Sequence, residues 1–211
     1  MLGFLIISGM VMGEEQLSDQ VNISLKRTVN TYADLWHGAN SLAAKGRADV
    51  EGSTWTFMGA QILFAFSIEA YCNFALPHVF SDLTESQRRE VAKRPPVCRI
   101  ALICASLDVS FDEGGDELTA LQELFRFRNS LAHGRQLDLA ESKIHPAEAI
   151  DDPANFWLSA PWEVMCTVEA VDRTRDVSQR IISMIHGRLP THLGRPFKFG
   201  VGSGFAQLVR P

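Results

Sequence analysis

Residues 54–76, TWTFMGAQILFAFSIEAYCNFAL, are apolar on almost every side of a helical projection and hold one charge, Glu69. A helix that is apolar all round is normally buried inside a protein. This stretch has the length of a membrane span, but a carboxylate near its middle would cost roughly 2.5–3.5 kcal/mol in lipid. We therefore predict a buried central helix that ends before Pro77, rather than a transmembrane helix.

The sequence on both sides of this segment predicts further helices. Apolar residues recur every three or four positions, and prolines and glycines separate the runs. Gly134 is placed to end one helix in the left-handed conformation, and Ser159 and Pro161 are placed to begin the last. The predicted fold is an all-α bundle of four to five helices, with a short irregular segment before the last long helix. The predicted helical segments are residues 14–45, 54–76, 83–93, 97–107, 116–133 and 159–187.

The chain of 211 residues has the length of one domain. We expect a helical domain over residues 14–188, preceded by an apolar N-terminal extension, residues 1–13. A Gly- and Pro-rich tail, residues 189–211, should follow as an arm that is ordered only if its aromatic side chains dock.

The charge balance restricts the partners. With 25 acidic and 20 basic side chains the formal charge is −5, so the chain has no broad positive surface for coating nucleic acid. A small basic pocket remains compatible with this balance. The C-terminal third is the most basic part, which fits either a solvated helix face or a rim that guides RNA; its cations are Arg173, Arg175, Arg180, Arg188, Arg195 and Lys198.

Cysteine and histidine usage indicates neither disulfides nor a metal. The four cysteines form no C-x-x-C pair, and the six histidines form no H-E-x-x-H. We expect reduced, buried thiols in a cytoplasmic protein, with no metal and no cofactor.

The segment 117–133 carries the chemistry. On a helix, Arg128 falls near the centre of the apolar arc, where a leucine would be expected. A buried guanidinium needs a partner, a wet pocket or a second subunit over it. Glu69 poses the same problem in its own apolar helix, so we predict that Glu69 and Arg128 form an ion pair.

Asn129 and His133 lie at the edge of the same arc, four residues apart and therefore on one face. His133 is in the last turn, where the helix favours an imidazolium. A fixed cation, a neutral polar group and a group that titrates near neutrality are the minimal set for cleaving a phosphodiester. Taken alone, His133 is a favourable helix-end cation and Asn129 a surface residue, but this interpretation leaves Arg128 unexplained.

These residues resemble a known family. Residues 127–134, FRNSLAHG, are similar to the signature of HEPN domains (higher eukaryotes and prokaryotes nucleotide-binding), which has an Arg, a polar residue, a short spacer and a His near a helix end. Residues 67–73, SIEAYCN, look like the "IEa..N" helix found upstream in many of these proteins. The resemblance covers residues 61–134 at the level of motifs and residues 14–187 more loosely.

The resemblance implies a helical bundle that forms a homodimer in which two Arg and His motifs face a shared cleft. Arg128 and His133 would be the catalytic pair, Asn129 would orient the site or the substrate, and Glu69 would support it. Many members are metal-independent endoribonucleases that act as toxins or antiphage effectors, some paired with a nucleotidyltransferase-like antitoxin.

The expected function is therefore RNA cleavage in the cytoplasm, away from membranes. Two alternatives remain open. One is a non-catalytic module of the same fold that binds nucleotide, RNA or a protein. The other is an unrelated helical or membrane-associated protein.

Overall fold

The computed structural model describes residues 20–111, 115–142, 144, 146, 151–152, 156–200 and 202–209. The chain forms two compact units: Val29–Phe199, and Met1–Thr28 together with Gly200–Pro211. The predicted N-terminal extension, residues 1–13, lies outside the described residues, and so do residues 14–19 of the first predicted helix.

The unit Val29–Phe199 is helical, which confirms the all-α prediction. Its described residues form six α-helices rather than four to five, together with two short 3₁₀ helices, Glu163–Met165 and Thr191–Leu193. The α-helices are α1 (Thr31–Ala48), α2 (Ser53–Val79), α3 (Glu85–Ala92), α4 (Pro96–Ser106), α5 (Asp116–Ala132) and α6 (Val168–His186).

Helix α2 is the central element, as predicted. Eleven of its side chains are buried, and it packs against each of the other five α-helices. Among the described residues it is the helix long and apolar enough to cross a membrane by length and composition. The helix does not end before Pro77 but continues to Val79. A proline this close to a helix end removes only one backbone hydrogen bond, which the last turn tolerates.

The first predicted helix is wrong in its N-terminal part. Strand β1 (Gln20–Arg27) occupies this region and pairs antiparallel with strand β2 (Gly202–Val209), from Gln20 opposite Val209 to Arg27 opposite Gly202. Asn22, Ser24 and Lys26 alternate with apolar residues, as in a strand with one polar face. Helix α1 begins only at Thr31.

Two aromatic side chains of the predicted tail dock on helix α1, which is the condition under which the tail is expected to be ordered. Phe197 stacks on Trp36 of α1 with ring centroids 4.2 Å apart, and Phe199 stacks on His37 at 4.3 Å. The Nε2 atom of His37 donates to the backbone oxygen of Phe197 at 2.9 Å. The helical unit therefore extends to Phe199, past the limit predicted at residue 188, and the rest of the described tail is strand β2.

Two predicted helix ends also differ. Helix α6 begins at Val168 rather than at Ser159, because Thr167 caps it by accepting the backbone N–H of Ala170 at 3.2 Å. Gly134 does not take the left-handed conformation. Its N–H bonds to the oxygen of Leu131 at 3.4 Å, so helix α5 closes with a tightened last turn.

Gly46 lies inside helix α1 rather than ending it, and it allows close approach to α2. A Cβ atom at Gly46 would lie 2.7 Å from Cε1 of the buried Phe57 ring. At Gly38 of the same helix, a Cβ would lie 3.1 Å from the end of the Leu63 side chain, which can move.

We expect Gly46→Ala to lower the free energy of unfolding by about 1–3 kcal/mol, because overpacking against Phe57 outweighs the higher helix propensity of alanine. Urea unfolding measures this. The matched control, Gly38→Ala, should change the free energy by less than about 1 kcal/mol. Equal effects of the two substitutions would contradict the close approach at Gly46.

His186 is buried at the end of helix α6, where its ring lies parallel to that of Phe74 and its Nδ1 atom is 3.4 Å from the Tyr71 hydroxyl. Burial lowers the pKa of His186 below its usual value, and the neighbouring His78 lowers it further. The imidazole of His186 therefore binds a proton less readily in the folded state than in the unfolded state.

The stability that neutral His186 contributes should be fully present above its unfolded pKa, about 6.5, and should be lost as the pH falls through the lowered folded value. We expect the free energy of unfolding to fall between about pH 7 and pH 5, and His186→Phe to have a shallower slope. The slope that remains would come from His78, because burial lowers the pKa of His78 as well. An unchanged slope in the variant would exclude His186 as its source.

Candidate functional site

Helices α2 and α5 bring Glu69 and Arg128 together. Nη2 of Arg128 donates to Oε1 of Glu69 in a short ion pair, and both side chains are about one-fifth exposed. The predicted ion pair is confirmed. The two charges that were anomalous in their own apolar helices therefore compensate each other.

A second arginine, Arg99 of helix α4, shares the same carboxylate. Its Nη2 atom is 3.8 Å from Oε1 of Glu69, and its Nη1 atom donates to Oδ1 of Asn73 at 2.7 Å. The Arg99 side chain is only 7% exposed. The sequence indicates that Arg99 needs a partner, since it is the only charge in the predicted helix 97–107.

Asn129 and Phe66 fix the plane of the Arg128 guanidinium. Nη1 of Arg128 donates to Oδ1 of Asn129 at 2.9 Å, and Cζ lies 5.6 Å from the centre of the Phe66 ring. A guanidinium over an aromatic ring gains a cation–π contact. Within the described part of the chain, the Nε atoms of Arg128 and Arg99 are buried and have no hydrogen-bond partner.

These side chains line a cavity of about 410 Å³ between α2, α5 and the junction of α3 with α4. Four cations and one carboxylate are among the lining residues, so the cavity is positive although the chain is acidic. Such a cavity suits an anion. Its lining residues are Glu69, Ala92, Lys93, Arg94, Pro95, Pro96, Arg99, Phe125, Arg128 and Asn129.

His133 is not part of this cavity. It follows the last residue of α5, its backbone N–H bonds to the oxygen of Asn129 at 3.0 Å, and its side chain is exposed. Among the described residues its imidazole has no hydrogen bond or ion pair. His133 has non-helical backbone angles, φ −116° and ψ 27°, and does not line the cavity that Arg128 lines. The structure thus brings Glu69, Arg128 and Asn129 together and leaves His133 apart in the single chain.

The cysteines do not supply a buried nucleophile. Burial raises the pKa of Cys72 to about 12 and those of Cys104 and Cys166 to about 11, so these thiols stay protonated near neutral pH. Cys98 is exposed, contrary to the expectation that all four are buried. Within the described ranges, no group of three or more His, Cys, Asp or Glu is arranged to hold a metal ion.

A larger, mostly apolar cavity of about 620 Å³ lies on another face of α5, beside Phe127, Ser130 and Trp162. It contains none of the predicted site residues. The nearby C-terminal arginines are paired with acids, for example Arg173 with Glu123 at 2.7 Å and Arg180 with Glu117 at 2.9 Å. This pairing favours a solvated helix face over a rim that guides RNA.

Comparisons of the chain with protein-family models, curated proteins and solved structures find no match. The site itself, a basic cavity in an all-α protein, is what bears on the function.

We expect Glu69→Gln to lower the free energy of unfolding by about 2–3 kcal/mol, because it leaves two mostly buried arginines without their shared carboxylate. Urea unfolding measures the change. The control is Glu85→Gln, which breaks an exposed ion pair with Arg89 and should cost less than about 1 kcal/mol. Similar losses in the two variants would show that the Glu69 carboxylate is not a special stabilising group.

Proposed function

We propose that the protein is a HEPN-type endoribonuclease that needs no metal and acts as a cytoplasmic homodimer. The observation that carries the proposal is the position of Arg128, which comes from the apolar arc of α5 yet lines a basic cavity beside Asn129. The motif resemblance of residues 127–134 supplies the reaction class, with Arg128 and His133 as the catalytic pair.

The reaction is an internal transfer of a phosphodiester. The ribose 2′-oxygen attacks the adjacent phosphorus, its proton goes to a base, and the bond from phosphorus to the 5′-oxygen breaks. The products are a cyclic 2′,3′-phosphate and a 5′-hydroxyl that receives a proton. His133 serves as the base or as the acid, and Arg128 stabilises the charge that develops on the phosphate oxygens.

The separation of His133 from Arg128 on α5 supports the dimer. His133 is exposed and lies outside the cavity that Arg128 lines, so a phosphate in that cavity would meet a His133 from another chain. A second copy packed against the exposed face of α5 would bring its own His133 towards the first chain's Arg128. Asn129, Ser130 and Arg126 are exposed on that face and available for such packing.

A second candidate is a non-catalytic module of the same fold that binds nucleotide, RNA or a protein. It is favoured by the contacts of Arg128, whose two terminal nitrogens are both engaged, one by Glu69 and one by Asn129. Catalysis in the first candidate requires Arg128 to donate one of its remaining N–H groups, such as that on Nε, to a phosphate oxygen. A binding module has no such requirement.

As a toxin or defence effector the protein would need restraint in its own cell, and a nucleotidyltransferase-like antitoxin is the partner that the family resemblance suggests. Co-purification of the neighbouring gene product with this chain tests that part of the proposal.

We expect the purified protein to cleave RNA in the presence of EDTA and to leave cyclic phosphate ends. His133→Ala should lower the rate by about 100-fold or more, because the proton transfer loses its carrier. The control is His192→Ala, which removes an exposed histidine outside the site and should leave the rate unchanged. The measurement is the rate of cleavage of an end-labelled RNA.

Absence of cleavage by the wild-type protein, or equal cleavage by His133→Ala, would overturn the ribonuclease. RNA binding without cleavage would select the non-catalytic module. A dimer is expected in solution, and mixing Arg128→Ala with His133→Ala chains should restore part of the activity if each site takes one residue from each subunit.

A further inference from the structure

We infer that the cavity between α2, α4 and α5 is a phosphate-binding site in which Arg99, outside the recognised motif, is the buried anchor that contacts the phosphoryl oxygens. The inference rests on the proposed function for the source of the phosphate, an RNA backbone. The chemistry of the site, its charges and hydrogen-bond donors, is taken from the structure alone.

The charges around Glu69 leave one cation uncompensated. Arg99 and Arg128 both approach the same oxygen, Oε1, and Arg99 does so only at 3.8 Å. A guanidinium that is 7% exposed with so distant a counter-ion is expensive to bury. A bound oxyanion would supply the missing negative charge.

The unused donors suggest where that oxyanion binds. Nε of Arg99 and Nε of Arg128 are buried without an acceptor among the described residues, and both side chains line the cavity. Nearly all buried donors in folded proteins are paired with protein, water or ligand, so these two side chains are where an acceptor from the cavity would bind. Phosphate oxygens suit the planar fork of arginine better than a single-atom anion does.

The N-terminus of helix α4 points to the same ligand. This eleven-residue helix begins at Pro96 with no side-chain cap, and Pro95 and Pro96 line the cavity. Pro95 and Pro96 have no N–H to donate, so this end of the helix contributes the positive end of its dipole, which favours an anion. Lys93 and Arg94 also line the cavity and add positive charge on the α3 side.

The size of the cavity limits the ligand. A volume of about 410 Å³ holds a phosphate with part of a nucleoside but not a folded nucleic acid. The ligand is therefore one phosphate group, from an RNA backbone or from a free mononucleotide. These two sources share the chemistry that Arg99 recognises, and the probes below separate them.

The experiment measures binding of a fluorescent 2′-O-methyl oligoribonucleotide to the full-length protein. This probe lacks the attacking hydroxyl and so cannot be cleaved. We expect Arg99→Gln to weaken binding about tenfold or more, and Arg99→Lys, which keeps the charge but loses the fork, to weaken it less. The salt dependence of binding should also become shallower in Arg99→Gln, by a slope of about 0.7 for one lost phosphate contact.

The matched control is Arg180→Gln, which removes an exposed arginine paired with Glu117 and should leave binding within about twofold. Thermal unfolding of each variant shows whether it is folded. If Arg99→Gln is not folded, the RNA binding of Arg99→Lys tests the anchor instead. Phosphate should also raise the melting temperature of the wild-type protein, and this test needs no variant.

AMP and adenosine identify the source. Competition by AMP but not by adenosine supports a site that accepts a free mononucleotide, whereas Arg99-dependent RNA binding without competition by AMP supports a backbone phosphate. Equal competition by AMP and adenosine, equal weakening by Arg99→Gln and Arg180→Gln, or no binding of RNA, AMP or phosphate by the wild-type protein would overturn the inference.

The two proposals fail separately. If the wild-type protein does not cleave RNA but binds the probe through Arg99, the ribonuclease is wrong and the phosphate site stands. If cleavage depends on His133 but Arg99→Gln binds the probe normally, the ribonuclease stands and the anchor is wrong.

Discussion

The site depends on the ion pairs that the carboxylate of Glu69 forms with two arginines. The carboxylate comes from the central helix α2 and meets arginines from two other helices, Arg99 from α4 and Arg128 from α5. Two mostly buried cations are tolerable only with this carboxylate between them. The apolar packing of α2 against α4 and α5 holds the three charged side chains within contact distance of one another. The hydrophobic core therefore also determines the geometry of the basic cavity.

Much of this site follows from the sequence through one rule, that a lone charge in an apolar helix needs a partner. Applied to Glu69 and Arg128, the rule predicts their ion pair, which the structure confirms. Arg99 satisfies the same condition, but the rule gives each charge one partner and the predicted partner of Glu69 is Arg128, so the sequence does not predict where Arg99 lies. A carboxylate with two oxygens and several lone pairs can serve two guanidiniums, and Arg99 gains a further acceptor in Asn73.

The strands show what local patterns do not determine. In QVNISLKR, residues 20–27, the apolar positions Val21 and Leu25 fit a spacing of four as well as an alternation of two. The choice between helix and strand is made by pairing with residues 202–209, which lie about as far away as the chain allows. That partner segment contains glycines and few strand-forming residues, so its own sequence indicates a loop. Register and pairing are therefore tertiary information that neither segment carries alone.

The position of His133 follows from helix geometry. Five positions of an α-helix rotate by about 140°, so an Arg and a His with this spacing start from different faces of the helix. Arg128 follows the buried direction, towards Glu69 and the basic cavity, while His133 lies in the exposed direction beyond Asn129. In the proposed dimer, a second chain would supply the His133 that the basic cavity of the first chain lacks. If the exposed face of α5 forms a two-fold interface, each copy presents that same face to the other, because such an interface is isologous.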